Sequence, residues 1–143
     1  MESMIEKAER IAREAHEGQF RWDGVTPYIT HPQAVASQFE VGYVPEYQVV
    51  AWLHDVLEDS DWTAKALWDA GFPAGVCAAV AALTHMKDEG YDQYIARIAD
   101  STYMVKVVKM ADLRHNLSTS TDQDAKNKRL VWKLSLMLLE RSI

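Results

Sequence analysis

The sequence contains very little cysteine and no long apolar run. Cys77 is the single cysteine, so no disulfide can form within the chain, which is typical of a reducing compartment such as the cytoplasm. No apolar stretch approaches the roughly 18 residues that a membrane-spanning helix needs. Residues 1–13 also lack the apolar centre of a secretory signal. We therefore expect a cytoplasmic protein that has no membrane partner.

Positive charge is scarce as well. Fifteen Lys and Arg against 21 Asp and Glu give a net charge of −6, which argues against broad nucleic-acid binding. A small anionic ligand remains compatible, because a metal ion and a few basic side chains can reverse the field inside a cleft. The sequence has no P-loop, no dinucleotide-binding glycine pattern and no Gly-x-Ser-x-Gly motif. These absences exclude the commonest nucleotide-cofactor and serine-hydrolase sites.

Strand patterns of convincing length are missing, and helical periodicity predominates. The chain is 48% apolar and its few prolines and glycines cluster at short connectors. We predict an all-α, compact helical bundle of about seven or eight helices, forming a single domain over residues 1–143. The predicted helices include residues 2–17, 46–59, 63–71, 73–86, 91–99, 101–117 and 124–142, and one more begins at residue 31. In the last helix we expect Leu130, Leu134, Met137 and Leu138 to pack inward.

One stretch near the middle of the chain concentrates polar groups at the end of an apolar run. His54, Asp55, Glu58 and Asp59 follow the apolar residues 49–53. On a continuous helix, spacings of three and four residues bring such groups onto neighbouring turns of one face. Carboxylates near a helix C-terminus repel each other and the negative end of the helix dipole. Because the apolar neighbours argue against full solvation, the stretch predicts a bound cation.

Two further candidates lie on other predicted helices. His31 stands at the start of a helix that Thr30 is expected to cap, and Asp112 falls in the apolar stripe of residues 101–117. A lone histidine at a helix start is more often structural than a ligand. Asp112 alone could equally form an ion pair with Lys109 or Arg114. Only their combination with the central stretch favours a ligand role.

The combined set contains two imidazoles and two carboxylates. Its members are His31, His54, Asp55 and Asp112. Such a mixed nitrogen and oxygen set suits Mn²⁺, Fe²⁺ or Zn²⁺ with water completing the coordination. A water activated in this way attacks phosphate esters and anhydrides. Glu58 and Asp59 lie one turn further on, where a general base or acid would stand.

Four segments, taken in order, resemble the hydrolase domain of the RelA/SpoT alarmone enzymes, within the HD-domain superfamily of metal-dependent phosphohydrolases. The small stand-alone alarmone hydrolases share this pattern. The segments are residues 15–21 (AHEGQFR), 26–32 (TPYITHP), 54–59 (HDVLED) and 108–116 (VKMADLRHN). The resemblance covers most of the chain, and His-Asp alone would be a much weaker signal.

The resemblance implies removal of the 3′-pyrophosphate of (p)ppGpp, a nucleotide substrate, to give GDP or GTP and pyrophosphate, usually with Mn²⁺. It implies that the four candidate ligands bind the metal and that Glu58 and Asp59 position or activate the attacking water. Arg21 would lie in the substrate pocket and Asn116 in the nucleotide pocket. The family has a lysine after this arginine, whereas this chain has Trp22. Tryptophan carries no charge to meet a polyphosphate, but it can stack on a base.

Three alternatives stay open from the sequence. The chain could be an HD-domain phosphohydrolase of another nucleotide or phosphorylated small molecule, for which Trp22 is the best support. It could also be a non-catalytic regulatory module on the same fold. The third alternative treats the His and Asp residues as ordinary polar core residues, which is costly for buried ionised groups. The sequence does not decide the oligomeric state, and a homo-oligomer is among the options.

Overall fold

The structure, a computed structural model, describes residues 1–121 and 128–143. Over these residues the regular secondary structure is helical, apart from one isolated bridge between Phe20 and Pro27. The helices are α1 (Met4–Ala15), α2 (Thr30–Ser37), α3 (Pro45–Leu53), α4 (Val56–Asp59), α5 (Ala64–Asp69), α6 (Ala74–Leu83), α7 (Tyr91–Ala99), α8 (Tyr103–Thr119) and α9 (Lys128–Arg141). Since α4 is a single turn, the eight longer helices of the described part confirm the predicted all-α fold.

Helix α3 lies at the centre of the packing. It contacts α1, α2, α6 and α8, and residues 49–53 are buried without interruption. A helix that is apolar on every face is stable only when neighbours surround it. Helix α8 is similarly enclosed, with buried residues from Val105 to Leu113 that include the polar Lys109 and Asp112. The two polar residues therefore enter the core on an otherwise apolar helix.

The predicted continuous helix over residues 46–59 is wrong at its most informative point. Helix α3 ends at Leu53 and α4 begins at Val56, with Asp55 between them at φ −107° and ψ 0°. The His54 Nδ1 lies 2.6 Å from the carbonyl oxygen of Ala51, so this side chain occupies an acceptor at the end of α3. Adjacent residues of a regular helix do not face each other. The break allows the side chains of His54 and Asp55 to converge.

The loop before α2 is held by backbone contacts rather than by the predicted cap. The Arg21 backbone N–H donates to the carbonyl of Thr26 over 2.8 Å, which closes a short hairpin-like turn. Thr30 is the first residue of α2, and its hydroxyl donates to the carbonyl of Pro27 over 2.8 Å. Ile29 occupies the cap position without a side-chain bond. The expectation that Thr30 caps this helix is therefore wrong.

Helix α9 packs against α7 and α8 through a different face from the predicted one. Ser135 and Leu139 are buried, and Trp132 and Leu136 pack against the core. The residues expected to point inward are instead 62%, 56%, 50% and 48% exposed, namely Leu130, Leu134, Met137 and Leu138. Helix α9 begins at Lys128, and residues 124–127 of the predicted helix lie outside the described residues.

No helix in the described ranges has the length and apolarity needed to cross a membrane.

Candidate metal centre

The four predicted ligands come together from three parts of the chain. Helix α2 supplies His31, the turn between α3 and α4 supplies His54 and Asp55, and α8 supplies Asp112. One ligand atom from each residue lies within 4.8 Å of the others. His31, His54 and Asp112 are at most 4% exposed, so the cluster is buried rather than on the surface.

His54 shows why a cation fits this cluster. Its Nδ1 faces the Ala51 carbonyl oxygen, which can only accept a hydrogen bond, so Nδ1 carries the ring proton. Its Nε2 lies 3.0 Å from Asp55 Oδ2 and 3.4 Å from Asp112 Oδ1, and it makes no hydrogen bond within the described residues. His54 therefore directs Nε2 at two carboxylates, where a positive charge is favoured. With two nitrogen and two oxygen donors, the set suits a divalent metal ion.

Charges inside the cluster shift the pKa values in opposite directions. Burial raises the pKa of Asp55 and Asp112, but His54 beside the first and Lys109 beside the second outweigh it and hold both pKa values below the ordinary range. Burial lowers the pKa of His54, yet the two carboxylates outweigh it and raise that pKa. For His31 burial dominates and the pKa is lowered. Both carboxylates consequently stay ionised and available to a cation.

Two further side chains hold the ligand carboxylates. The Lys109 ammonium lies 2.7 Å from Asp112 Oδ2 in a buried ion pair. The Tyr28 hydroxyl donates to Asp55 Oδ2 over 2.6 Å. Asp112 thus has one oxygen on the lysine and the other toward the histidines, so ion pairing with Lys109 is compatible with a ligand role. Arg114, the alternative ion-pair partner, lies instead 3.6 Å from Glu140.

His115 contacts the cluster through His31 and was not predicted from the sequence. It lies one turn after Asp112 on α8, and its Nδ1 is 2.7 Å from the Nδ1 of His31. The two rings stack with centroids 4.9 Å apart and planes at 27°. Burial, together with His31 and Arg21, lowers the pKa of His115 to about 4. The sequence signal was the spacing of three residues from Lys109 to Asp112 to His115, which places all of them on one helix face.

Glu58 and Asp59 lie on α4, directly after the turn that contains His54 and Asp55. Both keep exposed surface, but burial, Asp55 and Glu58 together raise the pKa of Asp59 to about 7. Burial also raises the pKa of Glu58, although the backbone N–H of His85 donates to its carboxylate. A carboxylate with a pKa near neutrality can accept and return a proton at neutral pH.

Arg21 and Asn116 are in direct contact beside the cluster. The Arg21 guanidinium is only 7% exposed, and its Nη2 donates to Asn116 Oδ1 and to Thr119 Oγ1, both over 3.0 Å. The Asn116 amide lies 3.4 Å from Asp112 Oδ1 and donates to it. A chain of hydrogen bonds therefore joins the arginine to the candidate ligands.

Trp22 presents a partly exposed aromatic ring next to Arg21. The Arg21 guanidinium carbon lies 4.0 Å from the centroid of its ring, and the ring of Trp132 lies 5.9 Å away. Trp22 remains 40% exposed. Next to Trp132 a cavity of about 430 Å³ is lined by Tyr91, Lys128 and neighbouring residues of α9. The site thus combines the buried guanidinium of Arg21 with the apolar ring surfaces of Trp22 and Trp132.

Comparison with known proteins gives consistent relatives. No protein-family model matches the chain. It is 35% identical over 137 residues to the guanosine-3′,5′-bis(diphosphate) 3′-pyrophosphohydrolase of Haemophilus influenzae, covering 88% of this chain and 20% of that protein. It is 31% identical over 129 residues to the bifunctional (p)ppGpp synthase/hydrolase SpoT of Escherichia coli K12, covering 80% of this chain and 18% of that protein. The chain spans about one fifth of the length of these curated relatives.

A solved structure agrees over nearly the whole chain. It belongs to a metazoan ortholog of SpoT that hydrolyses ppGpp and plays a role in starvation responses. The TM-score is 0.83 at 25% sequence identity, and the match covers 99% of this chain and 88% of that one. The likeness therefore includes the helices that carry the four clustered His and Asp side chains.

Proposed function

From the premise that this chain is an HD-type domain like the hydrolase domain of the RelA/SpoT enzymes, we propose that it hydrolyses (p)ppGpp at the 3′-pyrophosphate. A water oxygen bonds to the phosphorus next to O3′, the bond between that phosphorus and O3′ breaks, and GDP or GTP leaves with a free 3′-hydroxyl beside pyrophosphate. The observation that carries the proposal is the convergence of four ligand atoms within 4.8 Å of one another. The similarity to a ppGpp hydrolase over 88% of that structure's chain supports the same substrate.

In this proposal a divalent metal ion is held by the cluster, and Mn²⁺ is the expected ion. The ligands are His31, His54, Asp55 and Asp112. When bound, such an ion acidifies a water and attracts phosphate oxygens. The position of His54 Nε2, 3.0 Å and 3.4 Å from the two carboxylates, supports a ligand role for this nitrogen. Tyr28 and Lys109 keep the two carboxylates oriented.

Glu58 and Asp59 are the proposed catalytic carboxylates. Asp59 takes the proton of the attacking water, and its pKa of about 7 supports this role because a base near neutrality can also return the proton to the leaving oxygen. Glu58 orients the water, with one carboxylate oxygen fixed by the backbone N–H of His85. Both lie within one turn of the ligand Asp55.

Arg21, Asn116 and Trp22 are the proposed substrate-binding residues. The Arg21 guanidinium meets a phosphate, since a planar fork of donors matches phosphate oxygens. Asn116 and Thr119 hold that fork in place. Trp22 offers its exposed ring face for stacking on the base. The substrate would therefore lie between the Arg21 guanidinium and the metal ion of the cluster.

A substrate panel tests the proposal. Metal-stripped protein is reloaded with Mn²⁺ and incubated with ppGpp, pppGpp, GTP, GDP and other phosphorylated nucleotides, and the products are separated by anion exchange. We expect GDP or GTP and pyrophosphate in equal amounts, with loss of turnover in Asp55→Asn and retention in Asp61→Asn, which changes an exposed acid in the following loop. Turnover of other nucleotides with none of (p)ppGpp would contradict the substrate but not the metal chemistry.

A second candidate is an HD-type phosphohydrolase acting on another phosphorylated nucleotide. The observation that favours it is the stacking of Arg21 on Trp22, where the family has a second cation. Trp22→Lys distinguishes the two. If ppGpp is a poor surrogate for the natural substrate, the lysine variant hydrolyses it faster than the wild type. If ppGpp is the substrate and Trp22 stacks on its base, the lysine variant has a higher KM for ppGpp.

We also propose that residues 1–143 act as one HD-type domain. Its support is that α3 and α8, which supply three of the four ligands directly or at their ends, pack on each other and share neighbours. A non-catalytic regulatory module remains the contrasting hypothesis. Metal analysis of the purified protein beside Asp55→Ala separates them, because a metal-free protein that the substitution leaves unchanged would favour the regulatory module.

A further inference from the structure

We infer that His115 is a positioning residue that holds His31 in the tautomer a metal ion requires, through the contact between their Nδ1 atoms. The inference rests on the proposed metal site and goes beyond it, because neither the ligand set nor the substrate assignment calls for His115.

The distance between the two rings restricts where their hydrogens can be. Two Nδ1 atoms 2.7 Å apart are at hydrogen-bond distance. One of them must donate and the other accept, because two N–H groups would clash and two lone pairs would repel. Each neutral histidine carries a single ring N–H, so the direction of this one bond fixes the tautomer of both rings.

Metal binding selects one direction of the bond. The His31 Nε2 faces the cluster, 2.7 Å from Asp112 Oδ1, and a hydrogen on this nitrogen would be donated to that carboxylate and would block a metal ion. As a ligand this nitrogen must present a lone pair, so the hydrogen of His31 has to reside on Nδ1. His115 must then accept that hydrogen at its own Nδ1. A side chain at this position without an acceptor would leave the buried N–H of His31 unpaired in the metal-bound form.

The other histidine ligand is held by different means. His54 Nδ1 faces the carbonyl oxygen of Ala51, a backbone acceptor that permits only one tautomer. His31 has a side-chain partner instead, and that partner sits on α8 one turn from the ligand Asp112. The stacking of His115 on His31, with ring centroids 4.9 Å apart, keeps the two Nδ1 atoms aligned. The orientation of His31 can therefore be tested by substituting His115, which is not itself a proposed ligand.

A pair of variants of nearly equal size tests the inference. His115→Asn can place a side-chain oxygen near the position of Nδ1, whereas His115→Leu has no acceptor. Mn²⁺ affinity is measured by competition with a fluorescent chelator, and thermal unfolding of the metal-free proteins checks that each variant is folded. We expect His115→Leu to weaken Mn²⁺ binding by about 10- to 100-fold and His115→Asn to recover most of the loss. Lys106→Leu, near the start of α8, serves as a control that keeps wild-type affinity.

A spectroscopic measurement adds a readout that packing alone would not change. Nitrogen-15 NMR of the histidine rings with Zn²⁺, which is diamagnetic, reports which nitrogen carries each hydrogen. We expect the hydrogen of His31 on Nδ1 and that of His115 on Nε2 in the loaded protein. A hydrogen on Nδ1 of His115, wild-type affinity in His115→Leu, or equal losses in the Asn and Leu variants would each overturn the inference. Wild-type metal binding without ppGpp hydrolysis would refute the proposed substrate alone.

Discussion

The buried ion pair between Lys109 and Asp112 offers a sharp perturbation of the metal centre. Lys109→Met keeps the length of the side chain and its packing against Tyr94, where the ammonium lies 5.0 Å from the ring centroid. It removes the positive charge 2.7 Å from Asp112 Oδ2. In the metal-free variant, two buried carboxylates of the cluster then share only the histidines as sources of positive charge.

The expected magnitude follows from burial. The two side chains of the pair are 11% and 5% exposed, and leaving one partner of a buried pair uncompensated costs about 3–5 kcal/mol. At about 2–4 °C per kcal/mol for a chain of this size, the metal-free variant should melt roughly 6–20 °C below the wild type. A divalent ion at the cluster supplies the missing charge beside Asp112. The metal should therefore raise the Tm of Lys109→Met by more than it raises that of the wild type.

The assay is thermal unfolding of chelator-treated protein with and without saturating Mn²⁺. Lys65→Met is the matched control, because Lys65 and Asp69 form an ion pair of nearly the same length, 2.6 Å, with side chains 82% and 57% exposed. An exposed helix pair of this kind contributes about 0.3–0.5 kcal/mol, so its loss should barely move the Tm. Equal destabilisation by the two substitutions would refute the assignment of a buried, charge-balanced cluster. An equal Mn²⁺ response in Lys109→Met and wild type would refute the compensation.

Three further perturbations test other parts of the account. Tyr28→Phe removes the hydroxyl that donates to Asp55; since hydrogen bonds to charged groups contribute about 1.5–3 kcal/mol, the Mn²⁺ affinity should fall while the helical circular dichroism stays unchanged. Leu139→Ala should cost about 2–5 kcal/mol in chemical denaturation because this side chain is fully buried, whereas Leu134→Ala, at 56% exposure, should cost far less; equal costs would reverse the assignment of the α9 faces. A hydrogen bond from Arg97 on α7 lowers the pKa of Glu89 from its ordinary 4.5 to about 2. The ionised Glu89 therefore stabilises the fold fully above pH 4.5, and this stabilisation disappears as the pH falls toward 2. Acid unfolding of Glu89→Gln should accordingly be less steep across this range than that of the wild type.

The composition of the metal cluster was predictable from residue types and their order. Imidazoles and carboxylates in apolar surroundings are costly without partners, and this cost, combined with the order of the residues along the chain, singled out His31, His54, Asp55 and Asp112. The geometry of the centre was not predictable in the same way. The helical spacings predicted one helix through residues 46–59, whereas the helix is interrupted at His54 and Asp55. At the break, His54 Nδ1 contacts the carbonyl oxygen of Ala51, an interaction that hydrophobic periodicity does not report.

The missed residue and the misplaced face have separate physical causes. His115 follows Asp112 by three residues, which places it on the same helix face, but this spacing does not distinguish a partner of a ligand from a surface residue. In α9 two apolar stripes coexist at helical spacing, and Trp132 with Leu139 occupies the interior while the stripe containing Leu134 stays exposed. Periodicity identifies a helix reliably, but it cannot choose between two apolar faces without the neighbouring helices.

The most direct test of the central claim is product analysis of ppGpp incubated with the protein before and after metal removal. We expect GDP and pyrophosphate in equal amounts with Mn²⁺, no products after treatment with a chelator, and recovery when Mn²⁺ is restored. Turnover that survives complete metal removal, or release of orthophosphate in place of pyrophosphate, would contradict it.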